Sequence, residues 1–120
     1  MTYCATVSLP MPPDRGNSRR HWAVQRRVEA EWKVRATVDL ANSRLRPPNP
    51  LQRFTLHVIA YSKRKSDIDN LTSRCKVPID LLRSLGWVAN DGPDHLVSLT
   101  VVPAVDTKRP RLEIHLCEEP

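Results

Sequence analysis

Residues Phe54–Gly86 read FTLHVIAYSKRKSDIDNLTSRCKVPIDLLRSLG, and a change of period inside this stretch decides the fold. Up to Tyr61 the apolar side chains alternate, with Phe54, Leu56, Val58 and Ala60 on one face, as a half-buried strand requires. From Leu71 the period becomes helical: Leu71, Cys75, Ile79, Leu82 and Leu85 fall on one stripe, and Gly86 follows as a helix stop. Pro78 interrupts the stripe, which predicts either a kink or a helix that starts at Pro78. A strand running into a helix and followed by more strands is the signature of an α/β layer.

The same reading extends outward. Thr2–Leu9 is strand-like and is stopped by Pro10, Pro12 and Pro13. His21 to about Arg44 contains no Pro or Gly, and Val24, Val28, Trp32, Val38 and Ala41 recur near helical spacing. Asn17 or Ser18 is the candidate cap, and Pro47, Pro48 and Pro50 end the segment. His95–Val102 and Arg111–Leu116 read as two further strands, and the VDTKRP between them reads as a hairpin. The expected order is β-α-β-α-β-β: a single domain over residues 1–120, α/β, with one mixed sheet and two helices.

Composition removes several classes. Nineteen Lys and Arg against 13 Asp and Glu give a net charge of +6, which points to a polyanionic partner. Three glycines cannot build a phosphate-cradling loop, so no nucleotide cofactor is expected. No apolar run approaches the roughly 20 residues of a membrane span, and no signal peptide is evident, so a cytoplasmic protein without a membrane partner is expected. Cys4, Cys75 and Cys117 are odd in number with no CxxC spacing, which favours reduced thiols over a disulfide framework. The four histidines have no paired zinc spacing.

The chemistry concentrates between residues 63 and 94. Asp67 and Asp69 project from the same side of an extended segment, just before a helix start where Asn70 can cap. Two carboxylates this close repel unless a cation lies between them, and oxygen ligands of this kind suit Mg2+ or Mn2+. Lys63, Arg64, Lys65, Arg74 and Lys76 surround the acids, an arrangement suited to a metal-bound phosphate. The plainer account is that Asp-x-Asp-Asn is capping chemistry, that Lys76 and Asp80 form an ordinary i,i+4 pair, and that Asn90-Asp91-Gly92-Pro93 is a turn.

The string Asp67-x-Asp69-Asn70-Leu71, then Lys76-x-x-x-Asp80-x-Leu82, Gly86 and Asp91, resembles the signature of RusA-type Holliday-junction resolvases. Pro10, Asn17, Arg20, His21 and Trp22 resemble that family's early loop, so the likeness covers roughly residues 5–116. The resemblance implies a Mg2+-dependent endodeoxyribonuclease of bacteria or their phages, an intertwined homodimer that resolves branched DNA by paired nicks. It implies Asp67, Asp69 and Asp91 as metal ligands, Lys76 as the catalytic lysine, and Asn70 as the residue holding the loop. Arg15, Arg19, Arg20, Lys63, Arg64, Lys65 and Arg74 would contact the DNA backbone. The chain departs from the family in having Asn90 where a second acid is common, and in an Asn70-to-Lys76 spacing that leaves Arg74 as a rival for the lysine's role.

Chain geometry adds an expectation of its own. A helix over Leu71–Leu85 spans about 22 Å, and the six residues to Asp91 reach at most about 20 Å. Asp91 therefore rejoins Asp67 and Asp69 more readily from a second subunit than from its own. A non-catalytic DNA-binding architectural protein and an RNA-binding module are the competing readings of the basic charge.

Overall fold

The computed structural model describes residues 2–13 and 22–120. It is an α/β fold with one mixed four-stranded sheet: β1 (Cys4–Leu9), α1 (Trp22–Ser43), β2 (Phe54–Ser62), α2 (Ile68–Arg74), α3 (Lys76–Ser84), β3 (Leu96–Val105) and β4 (Arg111–Glu118). The second expected helix is thus two helices, and the break falls at Cys75 rather than at Pro78. Proline explains the offset, because its ring collides with the carbonyl four residues upstream and donates no hydrogen bond. Four residues before Pro78 is Arg74, the last residue of α2. The ladder survives on either side, with the Cys75 N–H donating to the Leu71 carbonyl and the Ile79 N–H to that of Cys75.

The sheet order is β1-β4-β2-β3. β2 and β3 are parallel neighbours joined through α2 and α3, whereas β4 runs antiparallel between β1 and β2. The expected β3–β4 hairpin is therefore incorrect: β2 and β4 pair, and the 106–110 loop carries the chain past β2. That loop is closed by Asp106, whose Oδ1 accepts from the N–H groups of Lys108 and Arg109 while Oδ2 pairs with Arg111 at 2.9 Å. The Arg111 guanidinium and these backbone donors hold the Asp106 carboxyl below the usual carboxylate range.

One sheet face is covered. Val7, Leu9, Phe54, Leu56, Val58, Ala60, Leu112, Ile114 and Leu116 are all buried beneath the helices. The expected stripe on α1 is corrected as well: its buried side chains are Trp32, Ala36 and Leu40, while Val38 is 52% exposed. Ala41 stands about 180° from Trp32 at 100° per residue, so the two cannot share a face. Trp32 also donates from Nε1 to the Pro10 carbonyl at 2.8 Å, tying α1 to the end of β1. The helix stops three residues before Pro47, at Arg44, which takes a left-handed φ of 58°.

The end of α3 follows the sequence closely. Gly86 has φ of 79°, its N–H bonds to the Arg83 carbonyl, and the Trp87 N–H reaches back to the Leu82 carbonyl at 2.9 Å. This paired cap needs a left-handed residue, and glycine adopts that conformation without a steric cost. The turn drives Trp87 into the core, where it is 2% exposed, so it covers the core and presents no exposed wedge.

The reading of three reduced thiols is overturned. β1 and β4 place Cys4 opposite Cys117, and the two form a disulfide across 113 residues. Counting and spacing cannot detect a pairing that depends on strand register. Closing so long a loop restricts the unfolded chain, so reduction lowers stability by roughly 2–4 kcal/mol. Urea unfolding with and without reductant measures this, and a Cys117→Ser variant that responds equally to reductant would contradict it.

Cys75 remains as a free thiol, 1% exposed. Burial pushes it up to about 11 from an ordinary 9.0, with Arg74 opposing the shift. A folded-state pKa raised in this way contributes stability that is complete below pH 9 and is lost as pH climbs through about 11. The stability advantage of wild type over Cys75→Ala should therefore shrink across that interval by about 2–3 kcal/mol. Unfolding curves at several pH values read this directly, and a constant difference would refute it.

Candidate active site

The turn after β2 delivers Lys63, Arg64 and Lys65 to the surface, all exposed. Asp67 then occupies the cap position of α2 with an extended backbone, φ −68° and ψ 139°, yet its side chain makes no cap hydrogen bond. Asp69 lies in the first turn of the same helix. Among the described residues neither carboxylate accepts a hydrogen bond or joins an ion pair. The capping account of Asp67 fails on this point, because a capping carboxylate would bind the N–H two or three residues on. Both acids are free to meet something outside the chain.

They face a hollow of about 780 Å³ lined by Lys65, Ser66, Asp67, Ile68, Asp69, Asn70, Ser73 and Pro103. The floor comes from β3 through Pro103, and the wall from the first turn of α2. Asn70, expected as the cap, lies with Asp69 inside α2, because the helix already starts at Ile68; it stands beside the acids and is half-buried. The parallel β2–α2–β3 connection is what forms this place, since it lifts the chain off the C-terminal end of β2 and returns it to the neighbouring strand.

Lys76 and Asp91 belong elsewhere. They line a second hollow of about 320 Å³ with Thr72, Ile79, Asp80, Leu96 and Leu99, at the opposite end of β3. Asp91 is partnered by Arg83, whose Nη1 lies 3.3 Å from Oδ1, and Arg83 also approaches Asp80 at 3.9 Å. The expected Lys76–Asp80 pair does not form; Arg83 takes the acid instead, leaving the Lys76 ammonium without an ion-pair partner among the described residues. Sequence reasoning missed Arg83. Its i+3 spacing from Asp80 was the available signal, but its bond to Asp91 spans a turn that periodicity does not resolve.

Arg74 is committed as well. Nε and Nη2 both donate to the Pro12 carbonyl, at 3.1 and 2.6 Å, so this guanidinium holds the loop after β1. Arg15, Arg19 and Arg20 lie outside the described residues, as does the candidate cap Asn17. Trp22 is 64% exposed with the Arg26 guanidinium 5.7 Å over its ring. His57 is exposed on the uncovered sheet face, edge-on to His115.

The donor chemistry bears on the ion that the resemblance implies. Two carboxylate groups and an amide oxygen in an open hollow fit Mg2+, which keeps several waters and takes one or two carboxylates plus substrate phosphate. Among the described residues no group of three or more His, Cys, Asp or Glu is gathered for a metal, so one chain supplies a pair of acids and not a triad. Among the same residues no helix is long and apolar enough to cross a membrane. No family model matches the chain, and no curated protein matches it.

Proposed function

We propose that this chain is a RusA-type, Mg2+-dependent endodeoxyribonuclease that nicks four-way DNA junctions as a homodimer. The observation that carries the reading is the pair of unpartnered carboxylates, Asp67 and Asp69, set in an open hollow beside Asn70 and Lys65. Two exposed carboxylates facing one hollow leave hard oxygen ligands open to a divalent cation. The motif from Asp67 to Asp91 supplies the family assignment.

In this reading Asp67 and Asp69 hold Mg2+, or Mn2+, with Asn70 keeping the turn in shape. The bound ion supplies a water of lowered pKa and charge neutralisation at a phosphate. Lys76 offsets the charge that develops on the cleaved phosphodiester, and Asp91 adds a third carboxylate. Lys63, Arg64 and Lys65 hold the DNA backbone, together with Arg15, Arg19 and Arg20. Two-fold symmetry of a dimer matches the paired strands of a junction, so one encounter yields two nicks. The compartment proposed is the cytoplasm of a bacterial or phage-infected cell, where the Cys4–Cys117 pair would be held reduced.

The test is incubation with a labelled four-way junction. Paired nicks that appear with Mg2+ or Mn2+ and vanish with chelator support the proposal. Binding without cleavage under every metal condition favours the architectural reading. Affinity should fall steeply with salt, by about 10³-fold or more between 50 and 200 mM if six or more phosphates are neutralised; titration at several salt concentrations reads the slope.

A further inference from the structure

The uncovered face of the sheet gathers polar side chains that have no part in the proposed nuclease chemistry. β2 and β4 pair so that His57 stands directly opposite His115, and β1 sets Thr6 opposite His115 from the other side. Glu113 lies two residues before His115 on β4 and so shares its face. Chain spacing hides this group, because Thr6 and His115 are 109 residues apart.

The distances suit an ion. The His57 and His115 ring centres lie 5.8 Å apart. A metal held about 2.1 Å from one nitrogen of each imidazole sets the ring centres roughly 5–6 Å apart. His115 Nε2 is 3.7 Å from Glu113 Oε1, close to the roughly 3.4 Å edge of a tetrahedral site. Both side chains are also held from behind. The Thr6 hydroxyl and His115 Nδ1 share a hydrogen bond of 2.9 Å, and Arg111 Nη2 donates to Glu113 Oε2 at 3.4 Å. Outer partners of this kind orient the ligands around bound metals. With the ring proton on Nδ1, donated to Thr6, Nε2 keeps the lone pair that a metal takes.

As the side chains stand, no three donors converge among the described residues. His57 is the one that must turn. It is exposed and, among the described residues, nothing holds it but the edge of the His115 ring. Its diagonal neighbour across the β2–β4 ladder is Glu113, about 7–8 Å away and within reach of an imidazole.

We propose that His57, His115 and Glu113 form a second metal site, selective for Zn2+, that closes when the His57 side chain turns onto the ion. Two imidazoles and one carboxylate suit Zn2+, whereas the hollow at Asp67 and Asp69 offers only the oxygen donors that suit Mg2+. Three protein donors leave a fourth position to water, and the ion ties β2 to β4. The site stands apart from the nuclease reading, since none of its three residues is placed in that reaction.

Calorimetric titration of the untagged, oxidised chain with Zn2+ tests this. Excess Mg2+ fills the oxygen-lined hollow, and the closed Cys4–Cys117 bond withholds those two sulfurs from the ion. Wild type should take one Zn2+ per chain, and Zn2+ should raise its urea midpoint, because a ligand that binds only the folded state stabilises it. H57A, H115A and E113Q should each weaken binding by at least about tenfold and abolish the rise. H95A should bind as wild type does, since His95 Nδ1 is engaged by the Gln52 carbonyl. No Zn2+ uptake by wild type, undiminished uptake by any of the three variants, or an equal loss in H95A overturns the proposal. Should H115A or E113Q fail to fold by circular dichroism, H57A decides alone, because an exposed side chain with no hydrogen bond is replaced without harm to the fold.

Discussion

In the proposed nuclease, Asp69→Asn should lower Mg2+-dependent junction nicking by on the order of 10²–10³-fold while leaving the fold intact. The substitution keeps the shape of the side chain and removes one negative charge, so it isolates the electrostatic role. Asp69 is exposed and, among the described residues, neither pairs with a cation nor accepts a hydrogen bond. Its replacement therefore breaks nothing within the described fold, and stability should change by no more than about 0.5 kcal/mol. A structural role predicts the opposite pattern, with stability lost and activity falling only in proportion. Nicking rates measured on a labelled junction, beside a urea unfolding curve of the same preparation, separate the two. Unchanged nicking by Asp69→Asn would remove the metal-site assignment.

Phe54→Ala should cost about 3–5 kcal/mol. Phe54 is fully buried, begins β2, and sits where that strand meets both β3 and β4. Truncation removes the transfer free energy of the ring and leaves a cavity that a sheet held on both sides cannot close. Against a typical total of 5–15 kcal/mol this is a large fraction, and the urea midpoint should drop by on the order of 2 M. Val34→Ala, on the exposed face of α1, should move it little, since Val34 is 65% exposed. Equal shifts for the two variants would mean that the assigned core is wrong.

What was readable and what was not divides by the range of the interaction. The cap at Gly86 involves residues within five positions of one another, so composition and spacing located it. The alternation from Phe54 to Ala60 marked the covered face of β2, whose Phe54, Leu56, Val58 and Ala60 are all buried. Pro78 announced a break, and only its position at Cys75, three residues upstream, needed the backbone. On α1 the two apolar stripes are similar in composition, and the choice between them belonged to the sheet beneath. Trp32, Ala36 and Leu40 are buried because β1 lies there to receive them.

The candidate site shows the same division. Asp67, Asp69 and Asn70 lie within four consecutive positions, so their common hollow was legible in the chain. The separation of Lys76 and Asp91 into another hollow depended on the break at Cys75 and on the return of β3 beside β2. Arg74, expected to contact DNA, is held by the Pro12 carbonyl 62 residues away, and Arg83, to which the sequence reading gave no role, pairs with Asp91 eight residues on.

By itself the sequence determined the local terms: strand and helix periods, the helix stop, and two carboxylates placed at a turn. Each follows from backbone sterics and side-chain spacing within a few residues. Tertiary structure alone decided the strand order, the Cys4–Cys117 bond and the division of the acids between two hollows. These rest on contacts between distant segments, whose energies depend on which apolar faces can be covered together.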